Sequence, residues 1–430
     1  MIQPHTPEPP RPGFNVVGHV TGNLGLAVAA RNTLRVLTLS ERPFVAIDVD
    51  PGGGRGGHDS SYAEHMRIPP QAPYATNIFQ LNPMEVTALA QEQPAWLDLV
   101  GRFNVCVPFW ELPRLPVKMG WIPLLETVDV VLAPTRFVLD AVRASAPSAT
   151  VWHYPQAVFL PDGIVPDRSA FGLPDQDVLF YMSLDITSDV TRKNPTAVLQ
   201  AFARAFDERS SVRLVVKLNN SGAFSWAGAA AQGIQRLLSS HPNIIVIDRT
   251  MDYREVLCLS ASCDVYVSMH RSEGLGLNLL EAMSLGKPVI ATGWSGNMDF
   301  MTPENSCLVG YKLIPVVAEH ASYQRAVIGP DQTWAEPDID EAAKWMRLLA
   351  AQPDLRRQIG ARAAADMAKA RDRFTQGEIF DRLAAASVKT LVSSSRRDRK
   401  HRWVSLRRRS FPLHLKRVGG RILRRLGLRR

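Results

Sequence analysis

The sequence predicts an α/β protein made of two Rossmann-like domains, each built around a parallel sheet and facing the other across a cleft. Three observations carry this expectation. The chain has 430 residues, too many for one ordinary domain and suited to two of about 150–200 residues each. Hydrophobic residues make up 46% of it, enough for two substantial cores, which excludes global disorder. Short apolar runs also alternate with helix-like stretches through both halves, the pattern of parallel strands joined by crossover helices.

Taken in order, residues 1–12 hold five prolines and no apolar core. They read as a disordered leader rather than a signal peptide. A first domain over 13–160 has strand-like runs at Asn15–Val20, Phe44–Asp48, Asn77–Phe79, Asn104–Val107, Asp129–Leu132 and Thr150–His153, with helical stretches such as Gly25–Leu39 and Arg136–Ala144. The Pro- and Gly-bearing run Leu160–Asp167 marks a linker, set at 161–175. A second domain over 176–372 repeats the alternation, with strands at Asp177–Tyr181, Val212–Leu218, Asn243–Ile247, Val265–Ser268 and Pro288–Ala291. Helical patterns follow over Asp340–Leu349 and Pro353–Arg371. The glycine-rich run Pro51–Gly57 is too flexible to pack and reads as a mobile loop.

The four cysteines, Cys106, Cys258, Cys263 and Cys307, are scattered. They give neither a disulfide framework nor a zinc pattern, and buried thiols in a reducing cytoplasm fit this usage. No uninterrupted apolar run reaches about 18 residues, which argues against a membrane-spanning helix. The expected location is cytoplasmic, soluble or peripheral at the inner face of the membrane. Charge is uneven. Residues 396–430 contain 15 Lys or Arg and one acid, a net +14, so a chain of net +9 leaves −5 for residues 1–395. Within 411–430, Leu415, Val418, Ile422 and Leu426 recur at helical spacing among basic residues. An anionic membrane surface is one partner for such a tail; a solvated tail and nucleic acid are the others. Few aromatics interleave the arginines, so nucleic acid ranks last.

The most informative stretch is 270–297. The apolar run Asp264–Met269 leads into the loop Glu273-Gly274-Leu275-Gly276, then an apolar helical segment, then the run Pro288–Ala291. A Gly-bearing turn feeding a helix offers unpaired amides and a positive dipole end to a phosphate. Glu273 and Glu281, eight positions apart, could address different parts of one extended ligand, and carboxylates accept sugar hydroxyls. A plain strand–turn–helix with surface glutamates is the alternative. A second Gly-bearing turn, Gly18–Leu26, follows the first strand but lacks the full dinucleotide fingerprint. His19 within it is read as structural. Departure of a diphosphate develops anionic charge that needs cations. Arg192 and Lys193, in the loop entering the next helix, and Lys217 at a strand end are the candidates. At the end of another strand lies Pro108-Phe-Trp-Glu-Leu-Pro113.

Residues 270–297 resemble the donor site of GT-B glycosyltransferases of the large retaining family four, among them group 1 transferases of bacterial surface polysaccharides. The resemblance rests on Ser-Glu-Gly-Leu-Gly at 272–276, Glu-Ala-Met at 281–283, Gly-Lys-Pro-Val at 286–289 and Ser-Gly-Asn at 295–297, and covers about residues 13–390. It implies that Glu273 contacts the donor sugar and Glu281 the nucleotide ribose. The amides of Gly274, Leu275, Gly276 and Leu277 would lie near the sugar and diphosphate. Gly22, Asn23, Leu24 and Gly25 would face them across the cleft. Relatives place an Arg and a Lys several residues apart where this chain has adjacent Arg192 and Lys193, with Asp185 at the earlier position. Lys193, directly before Asn-Pro, fits the pattern better. Where many relatives carry a His, this chain has Trp110-Glu111. Glu111 would assist deprotonation of the acceptor or orient the sugar, or else simply bond to nearby backbone.

The implied fold is GT-B, with residues 373–395 crossing back to the first domain. The implied activity is transfer of a sugar from a nucleotide-sugar to a glycan or lipid-linked acceptor with retention, in bacterial polysaccharide or glycolipid synthesis. No cofactor or metal is expected: no Asp-x-Asp stands where a metal-bridged diphosphate would require it, and Asp48-Val-Asp50 ends a strand of the first domain. Two other readings stay open: another GT-B activity such as an epimerase or hydrolase, and a membrane-associated sugar-nucleotide-binding scaffold without turnover.

Overall fold

A computed structural model describes residues 10–52, 56–92, 97–186, 188–219, 222, 228–318 and 323–409. The first domain runs β1 (Arg11–Gly18), α1 (Gly25–Leu39), β2 (Phe44–Asp48), β3 (Tyr74–Gln80), α2 (Pro83–Glu92), β4 (Phe103–Cys106), α3 (Trp121–Leu125), β5 (Val130–Ala133), α4 (Arg136–Ser145) and β6 (Val151–His153). Its six strands are parallel in the order β2-β1-β3-β4-β5-β6. Strand periodicity explains why both faces are covered. Val17, Phe79, Cys106 and Val131 enter one core, and their neighbours Val16, Ile78, Val105 and Val130 enter the other.

The second domain runs β7 (Val178–Asp185), α5 (Val190–Lys193), α6 (Pro195–Ala205), β8 (Val212–Asn219), α7 (Gly228–Ser240), β9 (Ile244–Asp248), α8 (Tyr253–Ser262), β10 (Val265–Ser268), α9 (Leu277–Ser284), β11 (Val289–Thr292) and β12 (Cys307–Val309). These strands are parallel in the order β12-β11-β10-β7-β8-β9. The chain reverses its direction of travel between β7 and β10. Ligand crevices of open α/β sheets form at such a reversal, outside the carboxyl ends of the strands. The first sheet has its own reversal between β1 and β3, so the loop after β1 faces the same way.

An antiparallel hairpin, β13 (Tyr311–Pro315) and β14 (Thr333–Pro337), with the short helix α10 (Arg325–Ile328) between its strands, follows β12. The hairpin belongs to the second domain in sequence, yet Tyr323, Ile328 and Trp334 pack into the first domain's core with Trp110 and Leu115. The sequence carried no expectation for it. The exposed Leu313 of β13 and the long separation of its strands give no alternating pattern to read.

Helices α11 (Ile339–Ala351), α12 (Pro353–Thr375), α13 (Glu378–Ser393) and α14 (Arg396–Arg409) close the described chain. Ile359 of α12 packs in the second domain, whereas Phe374 near its end lies 5.3 Å from the Tyr154 ring of the first. Phe380 and Leu383 of α13 join the first domain's core, and Arg42 grips Asp381 at 2.5 Å.

Five expectations need amendment or fall elsewhere. Arg11 and Pro12 are not leader but the start of β1, with the Arg11 amide bonded to the Pro73 carbonyl at 2.9 Å; residues 1–9 lie outside the described residues. The linker 161–175 is fixed to the second domain by Arg168, which bonds Asp264 and the carbonyls of Pro174, Asp175 and Asp177. The first fourteen residues of the basic segment form α14, which buries Trp403 and Leu406 and bonds the Val100 carbonyl through Arg399 at 2.8 Å. The amphipathic pattern over 411–430 lies outside the described residues, as do residues 53–55 of the glycine-rich loop.

Candidate active site in the interdomain cleft

A cavity of about 370 Å³ lies between the domains at the carboxyl ends of β7 and β10. On the second-domain side it is lined by the Glu273–Leu279 turn, Glu281, Arg192, Lys193 and Tyr253; on the first-domain side by Asn23–Leu26 and Glu111. The turn is built by glycines. Gly276, at φ 84°, is the left-handed residue immediately before α9, a conformation that side-chain-bearing residues avoid. The orphan amides of the helix start therefore open on the cavity. Gly274 is needed for another reason: a Cβ there would meet the Trp110 carbonyl oxygen at 2.8 Å. The Thr135 hydroxyl donates to the Gly274 carbonyl at 2.8 Å, a bond across the domains.

Glu273, Arg192, Lys193 and Glu111 form one charge cluster. Lys193 Nζ is 2.5 Å from Glu273 Oε1, and Arg192 Nη1 is 3.1 Å from Oε2. Arg192 Nη2 is 3.7 Å from Glu111 Oε1, and the Tyr323 hydroxyl donates to Glu111 Oε2 at 2.8 Å. Burial alone would raise the Glu273 carboxyl, but Lys193 and then Arg192 outweigh it and hold it at about 2. Glu273 is thus ionised at any working pH. The short helix α5 that carries both cations is tied to the Glu273 turn. Asp189 caps the Arg192 amide, Arg192 donates to the Ser272 carbonyl, and the Arg271 amide donates to the Arg192 carbonyl. Behind the turn, burial lowers His270 to about 4, with Lys193 and Arg192 reinforcing it against Glu273, so that imidazole is neutral.

Glu281 sits in the opposite condition. It is 7% exposed, and burial pushes its carboxyl up to about 7 against the pull of the Tyr253 hydroxyl and Arg31. The Tyr253 hydroxyl donates to its Oε1 at 2.9 Å. Two buried carboxylates of one turn and helix therefore differ because one has cations beside it and the other chiefly a hydroxyl.

The loop after β1 forms the facing wall. Arg31 of α1 donates to the carbonyls of Val20 and Gly22 at 2.7 and 2.9 Å and shapes this loop from inside. A Cβ on Gly25 would lie 3.7 Å from a Leu277 methyl, and the Asn23 amide reaches the Met251 carbonyl at 3.1 Å. Gly22 is not among the cavity-lining residues, although Asn23, Leu24 and Gly25 are. His19 bonds the Val49 carbonyl at 2.6 Å and Glu85 at 3.1 Å. Asp48 accepts from Thr21, and Asp50 accepts from the Gly52 amide, so both organise loops.

Lys217 differs from the sequence expectation. It is fully buried, and its ammonium donates to the Leu218 carbonyl at 2.5 Å and Asn219 Oδ1 at 2.7 Å rather than lining the cavity. The reason is reach. Lys217 and Asn219 share one face of β8, but Lys217 stands two residues short of the strand's end. There its ammonium is held by the Leu218 carbonyl and the Asn219 side chain, and Asn219 is the residue that lines the cavity. Glu111 lines the cavity, but its carboxylate is held by Tyr323 and faces Arg192 rather than nearby backbone.

Three residues of the site were missed from sequence. Arg31 left a signal, a charge inside the apolar run Gly25–Leu39. Tyr253 and Tyr323 left none, because their partners are 28 and 212 positions away. Among the described residues no group of three His, Cys, Asp or Glu side chains is placed to hold a metal ion.

Residues 183–327 match the family of glycosyl transferases group 1, a segment that contains Arg192, Lys193, Glu273 and Glu281. No match was found among curated protein sequences. Sucrose-phosphate synthase from Thermosynechococcus elongatus superposes with a TM-score of 0.63 at 14% identity, over 88% of this chain and 100% of that one. HepE from Anabaena, crystallised with UDP and glucose, gives 0.61 at 13% identity, over 87% of this chain and 100% of that one. A glycosyltransferase from Rickettsia africae gives 0.55 at 14% identity, over 89% and 98%. The fold is therefore GT-B, two parallel six-stranded sheets flanked by helices.

Proposed function

We propose that the protein is a glycosyltransferase that binds a nucleotide-sugar in the interdomain cleft and moves the sugar, with retention, to a glycan or lipid-linked acceptor. One observation carries this reading: Glu273 beside two cations and Glu281 beside Tyr253 open on one cavity together with the start of α9. The ionised Glu273 would accept hydroxyls of the donor sugar, and Glu281 those of the ribose. The diphosphate would lie between them on the amides of residues 274–277, with Lys193 as its mobile cation and Asn23–Gly25 opposite. Lys193, a third exposed, is free to turn from Glu273 to phosphate.

In the transfer, the bond between the anomeric carbon and the β-phosphate oxygen breaks as the acceptor oxygen bonds the same face of that carbon. The acceptor proton passes to the departing phosphate oxygen. Charge growing on that oxygen is met by Lys193 and the α9 dipole, with no metal in this scheme. The group 1 match over this half of the site, and the UDP and glucose bound by the like-folded HepE, support the reading.

The basic segment 396–430 extends the proposal to an anionic membrane surface, as suits a lipid-linked acceptor in bacterial polysaccharide or glycolipid synthesis. Helix α14 gives its apolar Trp403 and Leu406 to the first domain and leaves Arg397, Lys400 and His401 exposed. Among the described residues no helix is long and apolar enough to cross a membrane.

The test is nucleotide release from UDP-, GDP- and ADP-sugars, measured with and without candidate acceptors. Acceptor-dependent release supports a transferase. Release without acceptor points to a hydrolase, and binding without release to a scaffold.

A further inference from the structure

The Trp110-Glu111 pair meets a residue from the far end of the molecule. Tyr323 lies in the insertion between β13 and β14 of the second domain, and its hydroxyl donates to Glu111 Oε2 at 2.8 Å. Its ring stacks on the Trp110 indole, with centroids 5.7 Å apart and planes at 25°. The indole N–H in turn donates to the Arg114 carbonyl at 2.8 Å. The other oxygen of Glu111 faces Arg192 at 3.7 Å, and Arg192 reaches Glu273 at 3.1 Å. A chain of polar contacts thus runs from the neutral Tyr323 hydroxyl through Glu111 and Arg192 to Glu273, and it crosses between the domains at Glu111.

We propose that Glu111 is a positioning residue: clamped by Tyr323, it aligns Arg192 and through it the Glu273 carboxylate, so that the donor-sugar contact is complete only with the two domains together. This rests on the donor role proposed above for Glu273. Three features favour positioning over a base role for Glu111. Both its oxygens are directed at protein groups, one at a hydroxyl donor and one at a guanidinium. Arg192 is buried, with Nη1 shared between Glu273 and the Ser272 carbonyl, so its remaining freedom is set by what stands at Nη2. The insertion also leaves its own domain to place Tyr323 there, and it is fastened on the way by the Val117 amide to the Val327 carbonyl at 2.9 Å and by Gln332 to the Arg114 carbonyl at 2.9 Å.

The experiment compares full-length wild type with Glu111→Gln, Tyr323→Phe and the double variant. Donor dissociation constants come from calorimetry, and kcat, donor KM and the pH profile of kcat from steady-state assays. Tyr323→Phe keeps the ring stack, so it reports on the hydroxyl alone and stays informative if Glu111→Gln fails to fold. Each single change is expected to weaken donor binding and raise donor KM about tenfold. The double variant should be no worse than the worse single, since both act through one contact. The acidic limb of the kcat profile should persist. Loss of that limb in Glu111→Gln, with donor affinity intact, would make Glu111 a base and overturn the proposal. So would donor binding by both variants equal to that of a binding-competent wild type. A wild type that binds no nucleotide-sugar removes the reading beneath and the proposal with it, an outcome separable from the other two.

Discussion

Glu273 and Glu281 show how two identical side chains acquire different charge states. Cations hold the first at about 2, and burial raises the second to about 7. In the ribose role proposed for it, Glu281 accepts hydroxyls and works best ionised. Affinity for a nucleotide-sugar, whose diphosphate does not titrate in this range, should therefore rise with pH through about 7 and level off above it. Calorimetry from pH 5.5 to 8.5 should show this in wild type and a flat dependence in Glu281→Gln. Stability runs the other way for this group. The folded protein keeps the Glu281 proton while the unfolded chain has lost it, so its contribution falls as pH rises from the ordinary glutamate range toward about 7. Glu273 contributes stability above that ordinary range, lost as pH falls toward about 2. The two cations should separate as well. Arg192→Ala removes the buried cation shared by Glu273 and Glu111 and should lower the melting temperature in thermal unfolding. Lys193→Ala takes a partly exposed partner from Glu273 while Arg192 stays, so it should lower the melting temperature less than Arg192→Ala does and lower kcat roughly 10²-fold.

The turn into α9 is the element on which the site depends, and Gly274 is its tightest point. A methyl there would meet the Trp110 backbone at 2.8–3.2 Å. Gly274→Ala should therefore hold the domains slightly apart, lowering turnover roughly 10²-fold while nucleotide binding persists. Unchanged turnover would show that the close approach is not needed. This turn was readable from sequence because its chemistry is local: two glutamates, the glycines and the flanking apolar strands sit within 28 consecutive residues. The parallel strands were readable because burial on both faces makes them continuous apolar runs. What escaped depends on distance. Lys217 looked like a candidate because a sequence does not show that the Leu218 carbonyl and the Asn219 side chain hold its ammonium short of the cavity. Tyr323 could not be placed, because an insertion with exposed strands carries no period and its target lies in the other domain. Glu111 was visible as a residue, but its partners were not.

The whole molecule divides its charge as it divides its chain. A body of net −5 carries a segment of net +14, and the start of that segment is fastened to the first domain by α14. Arg396 pairs with Asp98, Arg402 pairs with Asp129, and Trp403 and Leu406 join the core beside Trp121. Removal of residues 410–430, with seven Lys or Arg, should abolish sedimentation with vesicles containing phosphatidylglycerol and leave the melting temperature in place. Trp403→Ala should instead destabilise the first domain by roughly 3–5 kcal/mol. Vesicle binding that survives the truncation would move the membrane contact elsewhere. The two domains meet at one cleft, and the use of that cleft can be asked directly. Calorimetric titration of the full-length protein with UDP, GDP, ADP and their sugar conjugates, repeated on Glu281→Ala, is the decisive measurement. Binding of one nucleotide series, weakened at least about tenfold by the substitution, is the predicted result. No binding in any series, or binding that Glu281→Ala leaves untouched, would contradict a donor site in the cleft.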